Sequence, residues 1–163
     1  MKRWYPIVYH AGPENDADLM KALDAADAYD AEYELAKRDL NAWGKLEHVA
    51  ARLSGVNEQR FSELQDLNAI IEHLENREMR VRVDRTRHYL EHYQRTVSDR
   101  VAREYAEASD EVQLVRSVIQ RVAYVHCLYQ GIIKGLATQE FQVTNITKLR
   151  VAGLEDAEIV QPR

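Results

Sequence analysis

The sequence predicts an all-α protein, a long-helix elongated bundle or a coiled-coil-like hairpin that assembles into an oligomer, and three observations carry that reading. Apolar residues recur at three- and four-residue steps through most of the chain. Three prolines and six glycines in 163 residues leave few turns. From Asn57 to Ala108 no proline or glycine interrupts 52 residues, which suits a projecting or coiled-coil-like helix. A single domain spanning 1–163 is expected at this length.

Residues 1–13 break the helical spacing. Trp4, Tyr5, Ile7, Val8 and Tyr9 are β-formers and aromatics, Pro6 fixes a backbone angle and Gly12-Pro13 is a turn signal. An extended arm is expected, folded back on its own helices, docked on a neighbour, or offering aromatics to bases. A helix follows over 16–53, with Leu19, Leu23, Tyr29 or Tyr33, Leu40, Trp43, Leu46, Val49 and Leu53 on its apolar face and Gly44 as a point of bending. Its first half is acidic: Glu14, Asp16, Asp18, Asp24, Asp27, Asp30, Glu32 and Glu34 stand against Lys21 alone. That face reads as a solvated helix front with favourable dipole placement, or as a contact for a basic partner.

Ser54-Gly55-Val56-Asn57 supplies a stop at Gly55 and a fresh cap at Asn57, so a second long helix is expected over 57–108. A break in it, if any, belongs between Thr96 and Asp99, where propensity is weakest. The most apolar stretch comes next. Val112, Val115, Val118 or Ile119, Val122, Val125, Leu128 or Tyr129, Ile132 or Ile133 and Leu136 form one wide stripe over a helix at 109–137, with Ser109 placed to cap it. A short helical segment at 141–153 and a fraying tail at 154–163 complete the chain.

The net charge of −5, from 27 acidic and 22 basic residues, argues against a generic polyanion binder and makes any nucleic-acid role depend on local segregation. Residues 77–103 show it: eight arginines (Arg77, Arg80, Arg82, Arg85, Arg87, Arg95, Arg100, Arg103) against Glu78, Asp84, Glu91 and Asp99. Guanidinium forks bind phosphate oxygens in pairs and stack on bases. Arg77, Arg80, Arg82, Arg85 and Arg87 are the candidate nucleic-acid-binding residues, with Tyr89 and Tyr93 as stacking surfaces. The competing reading is a solvated face neutralised one turn away, Glu78 with Arg82 and Asp84 with Arg80.

Little in the sequence points to catalysis, metal or cofactor. His88 and His92 have metal-ligand spacing without further ligands at a suggestive distance, His126 and Cys127 diverge by about 100° on a helix, and there is no phosphate-cradling glycine loop. One cysteine excludes an intramolecular disulfide. No apolar run approaches a membrane span and the start lacks the core of a secretory signal, so a soluble, cytosolic protein is expected.

The closing pattern Phe141-x-x-x-Asn145-Ile146-x-x-x-Arg150, set after a long amphipathic helix, resembles the UvsY family of phage recombination mediator proteins. The resemblance runs without gaps from Val112 to about Gly153. A weaker one covers Leu64 to Tyr89, through Leu64-x-Asp66, Leu74-Glu75 and Tyr89. It implies a phage-encoded protein of the host cytoplasm that binds single-stranded DNA, forms a ring-like homo-oligomer, and helps load a RecA-like phage recombinase onto DNA covered by single-stranded DNA-binding protein. It also implies assembly through the C-terminal region, for which Val112, Val115, Ile119, Val122, Leu128, Ile132, Leu136, Phe141 and Ile146 are the candidates. One departure stands out: where the family has Leu-Lys-x-Arg-Leu, this chain has Arg82-Val-Asp-Arg85-Thr, with Arg87 beyond. The alternatives are a phage structural or scaffold-type helical assembly protein without nucleic-acid binding, and a small regulator that occupies a nucleic-acid-binding partner through its acidic helix, with Asp24, Asp27 and Asp30.

Overall fold

The computed structural model describes residues 3–40, 46–93 and 97–153. Among them the protein is all-α, with no strand. In order come α1 (Tyr5–Ala11), a 3-10 turn (Glu14–Asp16), α2 (Ala17–Arg38), α3 (Leu46–His92), α4 (Asp99–Ala108) and α5 (Asp110–Val151). The chain divides into two compact units. The first holds Met1–Asp27 and Asp66–Val125, the second Ala28–Gln65 and His126–Arg163.

The core of the first unit follows the helical period. Leu67, Ile70 and Leu74 of α3 and Val112, Val115, Val118, Val122 and Val125 of α5 are buried, with Leu19, Ala22, Ala25 and Ala26 of α2, Ala102 and Ala106 of α4, and Val8 of α1. The small α2 residues let neighbouring elements approach closely, and each buried Leu or Val contributes about 1.5–3 kcal/mol relative to exposure. In the second unit Leu46, Val49, Leu53, Leu64, Ala36, Ile132 and Leu136 are buried, as are two tyrosines. Tyr129 meets Tyr29 edge to face at 5.6 Å and donates its hydroxyl hydrogen bond to the Tyr29 carbonyl at 3.1 Å; burial pushes its phenol pKa up. Gly135 fits here because a Cβ would come within 2.6 Å of Leu40 Cδ2.

The expected extended arm is helical. Its two orphan N–H groups, on Trp4 and Tyr5, donate to the Asp66 carboxylate at 2.8 and 3.3 Å, while Pro6 has no N–H to satisfy and suits a first turn. A cap supplied 62 residues away overrides local β-propensity. The turn signal after α1 is used: Gly12 has φ 68°, and Asn15 and Asp16, at 52° and 57°, take the left-handed region that Asn and Asp tolerate best.

The helix expected over 16–53 is two helices, α2 ending at Arg38 and α3 beginning at Leu46; Gly44 lies outside the described residues. The stop at Gly55 does not occur. Gly55 is helical with open space around it, so only its intrinsic cost of about 1 kcal/mol opposes continuation. Burial of Val49 and Leu53 before it and Leu64 and Leu67 after it outweighs that cost. The weak stretch before Asp99 does break: α3 ends at His92, and Ser98 caps α4 by accepting from the Val101 N–H. Residues 94–96 of that stretch are outside the described residues, as is the tail at 154–163.

The segments expected at 109–137 and 141–153 form one helix. Thr138, Thr144 and Thr147 fold their hydroxyls back onto the carbonyls of Lys134, Glu140 and Val143. Gln139 bonds the Leu40 carbonyl and Glu140 accepts from Asn57 Nδ2 at 2.8 Å, so the polar stretch is anchored as helix. Ser109 has the extended conformation of a cap residue, yet its hydroxyl donates backward to Ala106 at 2.7 Å and closes α4.

Candidate nucleic-acid interface

The five candidate arginines lie on α3 within the first unit, and tertiary structure divides them. Arg77 is largely buried and pairs with Asp16 and with Asp18. Arg85 pairs with Glu111 of α5. Arg80, Arg82 and Arg87 make no ion pair among the described residues. The local neutralisation suggested by the i±4 pattern is absent for two of them: Glu78 turns to Arg116 of α5, 2.9 Å away, leaving Arg82, and Asp84 does not pair with Arg80. Arg77 and Arg85 are therefore engaged within the fold, Arg77 nearly buried and Arg85 in a pair that stays exposed.

A groove of ≈ 620 Å³ runs between α3 and α4. Arg82, Arg87 and Arg103 line it, with Val83 and Leu90 supplying apolar surface and Glu91 and Glu107 the only carboxylates among the lining residues. The α3–α4 break creates this arrangement by bringing Arg103, 21 positions beyond Arg82, to the same groove. The sequence pattern alone could not place Arg103 there, because its partner face depends on how α4 is set against α3.

The candidate stacking tyrosines are partly spent on each other. Tyr89, Tyr93 and Tyr105 form a ring cluster with centroids 5.7 to 6.0 Å apart, and Tyr93 and Tyr105 keep much of their surface exposed. His88 and His92 stack in parallel at 5.2 Å. Among the described residues, no group of three or more His, Cys, Asp or Glu could hold a metal ion. Cys127 is exposed and free.

Farther back on α3 stands a polar cluster that the sequence did not announce. Asp18 is 1 % exposed, accepts from the Leu19 N–H at 2.9 Å, pairs with Arg77, and faces His73 Nε2 at 3.4 Å. Burial lowers the His73 pKa and the nearby Arg80 charge adds to this. The rest of the acidic α2 face is also partly used at home, Asp24 by Lys21 and Asp27 by Arg121.

The candidate assembly residues divide as well. Val112, Val115, Val122, Ile132 and Leu136 are buried in the chain's own core, which corrects their assignment to an oligomer interface. Ile119, Leu128 and Ile146 are half-buried, and Phe141 is 66 % exposed. Helical geometry sets Phe141 and Asn145 on one face of α5 and Ile146 and Arg150 near the opposite one. Arg150 lies 3.9 Å from Glu47. Among the described residues no helix is long and apolar enough to cross a membrane. No protein family, curated protein or solved structure matches this chain.

Proposed function

We propose that this protein is a non-enzymatic binder of single-stranded DNA, acting as a recombination mediator that helps load a RecA-like recombinase. The observation that carries the binding reading is the α3–α4 groove, where Arg82, Arg87 and Arg103 converge without ion-pair partners among the described residues. Unpaired guanidiniums beside apolar surface suit a flexible, stackable strand, and partly exposed Tyr93 and Tyr105 flank the same helices. The mediator role is supported by the resemblance of Phe141, Asn145, Ile146 and Arg150 to the UvsY pattern. A ring-like homo-oligomer fits this reading, since identical grooves on linked subunits raise effective concentration for one strand. Exposed Leu114, Tyr124, Phe141, Leu149 and Val151 on α5 offer apolar surface for such assembly.

Fluorescence anisotropy with labelled oligo(dT) tests the binding. Three phosphate contacts per subunit imply a loss of about 40-fold in affinity between about 50 and 300 mM salt. Charge reversal of Arg82, Arg87 and Arg103 together abolishes binding while reversal of Arg52 does not. Absence of binding at micromolar protein in low salt, or a triple variant that binds as wild type, sinks the reading. A monomeric mass by light scattering removes the ring from it.

A further inference from the structure

A cavity of ≈ 500 Å³ lies between α1, the turn before α2, and α3, within the first unit. Its floor is Asp18, already held by Arg77. Its rim is less committed. Arg80 and Asp84, one turn apart, make no ion pair among the described residues, and the Glu72 carboxylate accepts only from Asn68 Nδ2 there, at 3.1 Å, its backbone carbonyl being taken by Asn76. Tyr9 contacts Tyr5, His10 and His73 at centroid distances of 5.5 to 5.9 Å, so its ring is fixed, yet it remains 55 % exposed.

Charge and shape together select the ligand class. The lining holds Arg77 and Arg80 against Asp18, Glu72 and Asp84, which disfavours a free phosphate. A nucleotide meets the same groups differently. Its base has a fixed aromatic ring to stack on, its exocyclic amine finds carboxylate acceptors, as cytosine N4 does with Asp or Glu, and its phosphate reaches the rim guanidinium. The volume lies within the range of small-molecule pockets. Arg80 and Arg87 are seven residues apart on one stripe of α3, about 10.5 Å along its axis, so a strand in the α3–α4 groove passes close to the cavity.

We propose that this cavity receives one nucleotide of a bound strand, an amine-bearing base against Tyr9 with its phosphate at Arg80. The proposal rests on the nucleic-acid reading above and adds a base preference to it. The test titrates the full chain with dCMP, dTMP and inorganic phosphate by calorimetry, beside oligo(dC) and oligo(dT) anisotropy. Expected are millimolar or tighter binding of dCMP, weaker binding of dTMP, and none of phosphate. Tyr9→Ala and Arg80→Gln each weaken dCMP by about tenfold, and Tyr9→Phe, which keeps the ring, restores it. Failure of dCMP to bind at about 5 mM, equal affinity for phosphate, or indifference to Tyr9→Ala overturns the cavity assignment. If oligo(dT) still binds in that case, the groove stands and only the cavity falls. If dCMP binds and the oligonucleotides do not, the groove reading falls and with it the strand to which this nucleotide would belong.

Discussion

Each unit contains an arginine set between two acids, and the two clusters differ in how completely they are closed. In the second unit Arg60 gives Nε and Nη2 to Asp39 at 2.9 and 2.7 Å and Nη1 to Glu63 at 2.8 Å, with Gln59 adding a bond to Glu63. Burial alone lowers the Arg60 pKa, and the hydrogen bonds to Glu63 and Asp39 more than reverse that. In the first unit Arg77 also joins two acids, Asp16 and Asp18, but its Nε makes no hydrogen bond, and His73 reaches Asp18 only at 3.4 Å. A cavity opens beside it. The same residue types thus form a closed structural network in one place and an incompletely satisfied, accessible one in the other. Incomplete satisfaction of groups this buried is where a ligand has something to gain.

The largest effect expected from this contrast is at Arg60. Arg60→Met leaves Glu63, whose side chain is 1 % exposed, without its counter-ion and lowers unfolding free energy by about 3 kcal/mol. Urea denaturation measures it. The double variant Arg60→Met, Glu63→Leu recovers most of the loss, because no uncompensated charge then remains in the interior. A single variant as stable as wild type shows that the network is wet and contributes little.

Much of the fold was legible where the pattern was long and one-sided. The α5 stripe, the turn at Gly12 and the break before Asp99 all follow from local chemistry. What was not legible depends on partners far away in sequence. The helical state of Tyr5 to Ala11 needs Asp66, and continuation through Gly55 needs burial on both sides of it. The site shows the same division. Eight arginines in a short stretch announced a basic surface, but which of the α3 arginines are engaged was settled by Asp16, Asp18, Glu111 and Arg116, all on other elements. Periodicity likewise reported that α5 must bury a stripe and could not say whether its cover came from the same chain.

Arg77→Met should cost less than Arg60→Met, about 1–2 kcal/mol, because Asp18 retains the Leu19 N–H and has His73 as a substitute cation. The cluster is open enough to rearrange, whereas in the Arg60 network Arg52 can serve Asp39 but buried Glu63 keeps only the neutral Gln59. A loss equal to that at Arg60 removes the distinction between them.

The smallest effect is also the most specific, because it changes sign. His73 is flanked by Tyr9 of α1, Asp18 of α2, and Arg77 and Arg80 of α3. In wild type its pKa lies below the ordinary 6.5, so just below that pH the unfolded chain binds the proton more readily. The His73 contribution to stability is therefore complete above pH 6.5 and is lost as pH falls toward the folded-state value. In Arg77→Met the uncompensated Asp18 charge raises the His73 pKa above 6.5, and the folded state then takes up the proton first. Stability from this pair is then present below 6.5 and lost as pH rises through the new value. Urea midpoints between about pH 5.5 and 7.5, where Asp and Glu stay ionised, compare the two proteins. His126, whose pKa burial also lowers, contributes equally to both, and His73→Gln in each background removes the difference. Parallel pH profiles for wild type and Arg77→Met would show that Asp18 and His73 are not electrostatically coupled, leaving the cluster as closed as its counterpart at Arg60.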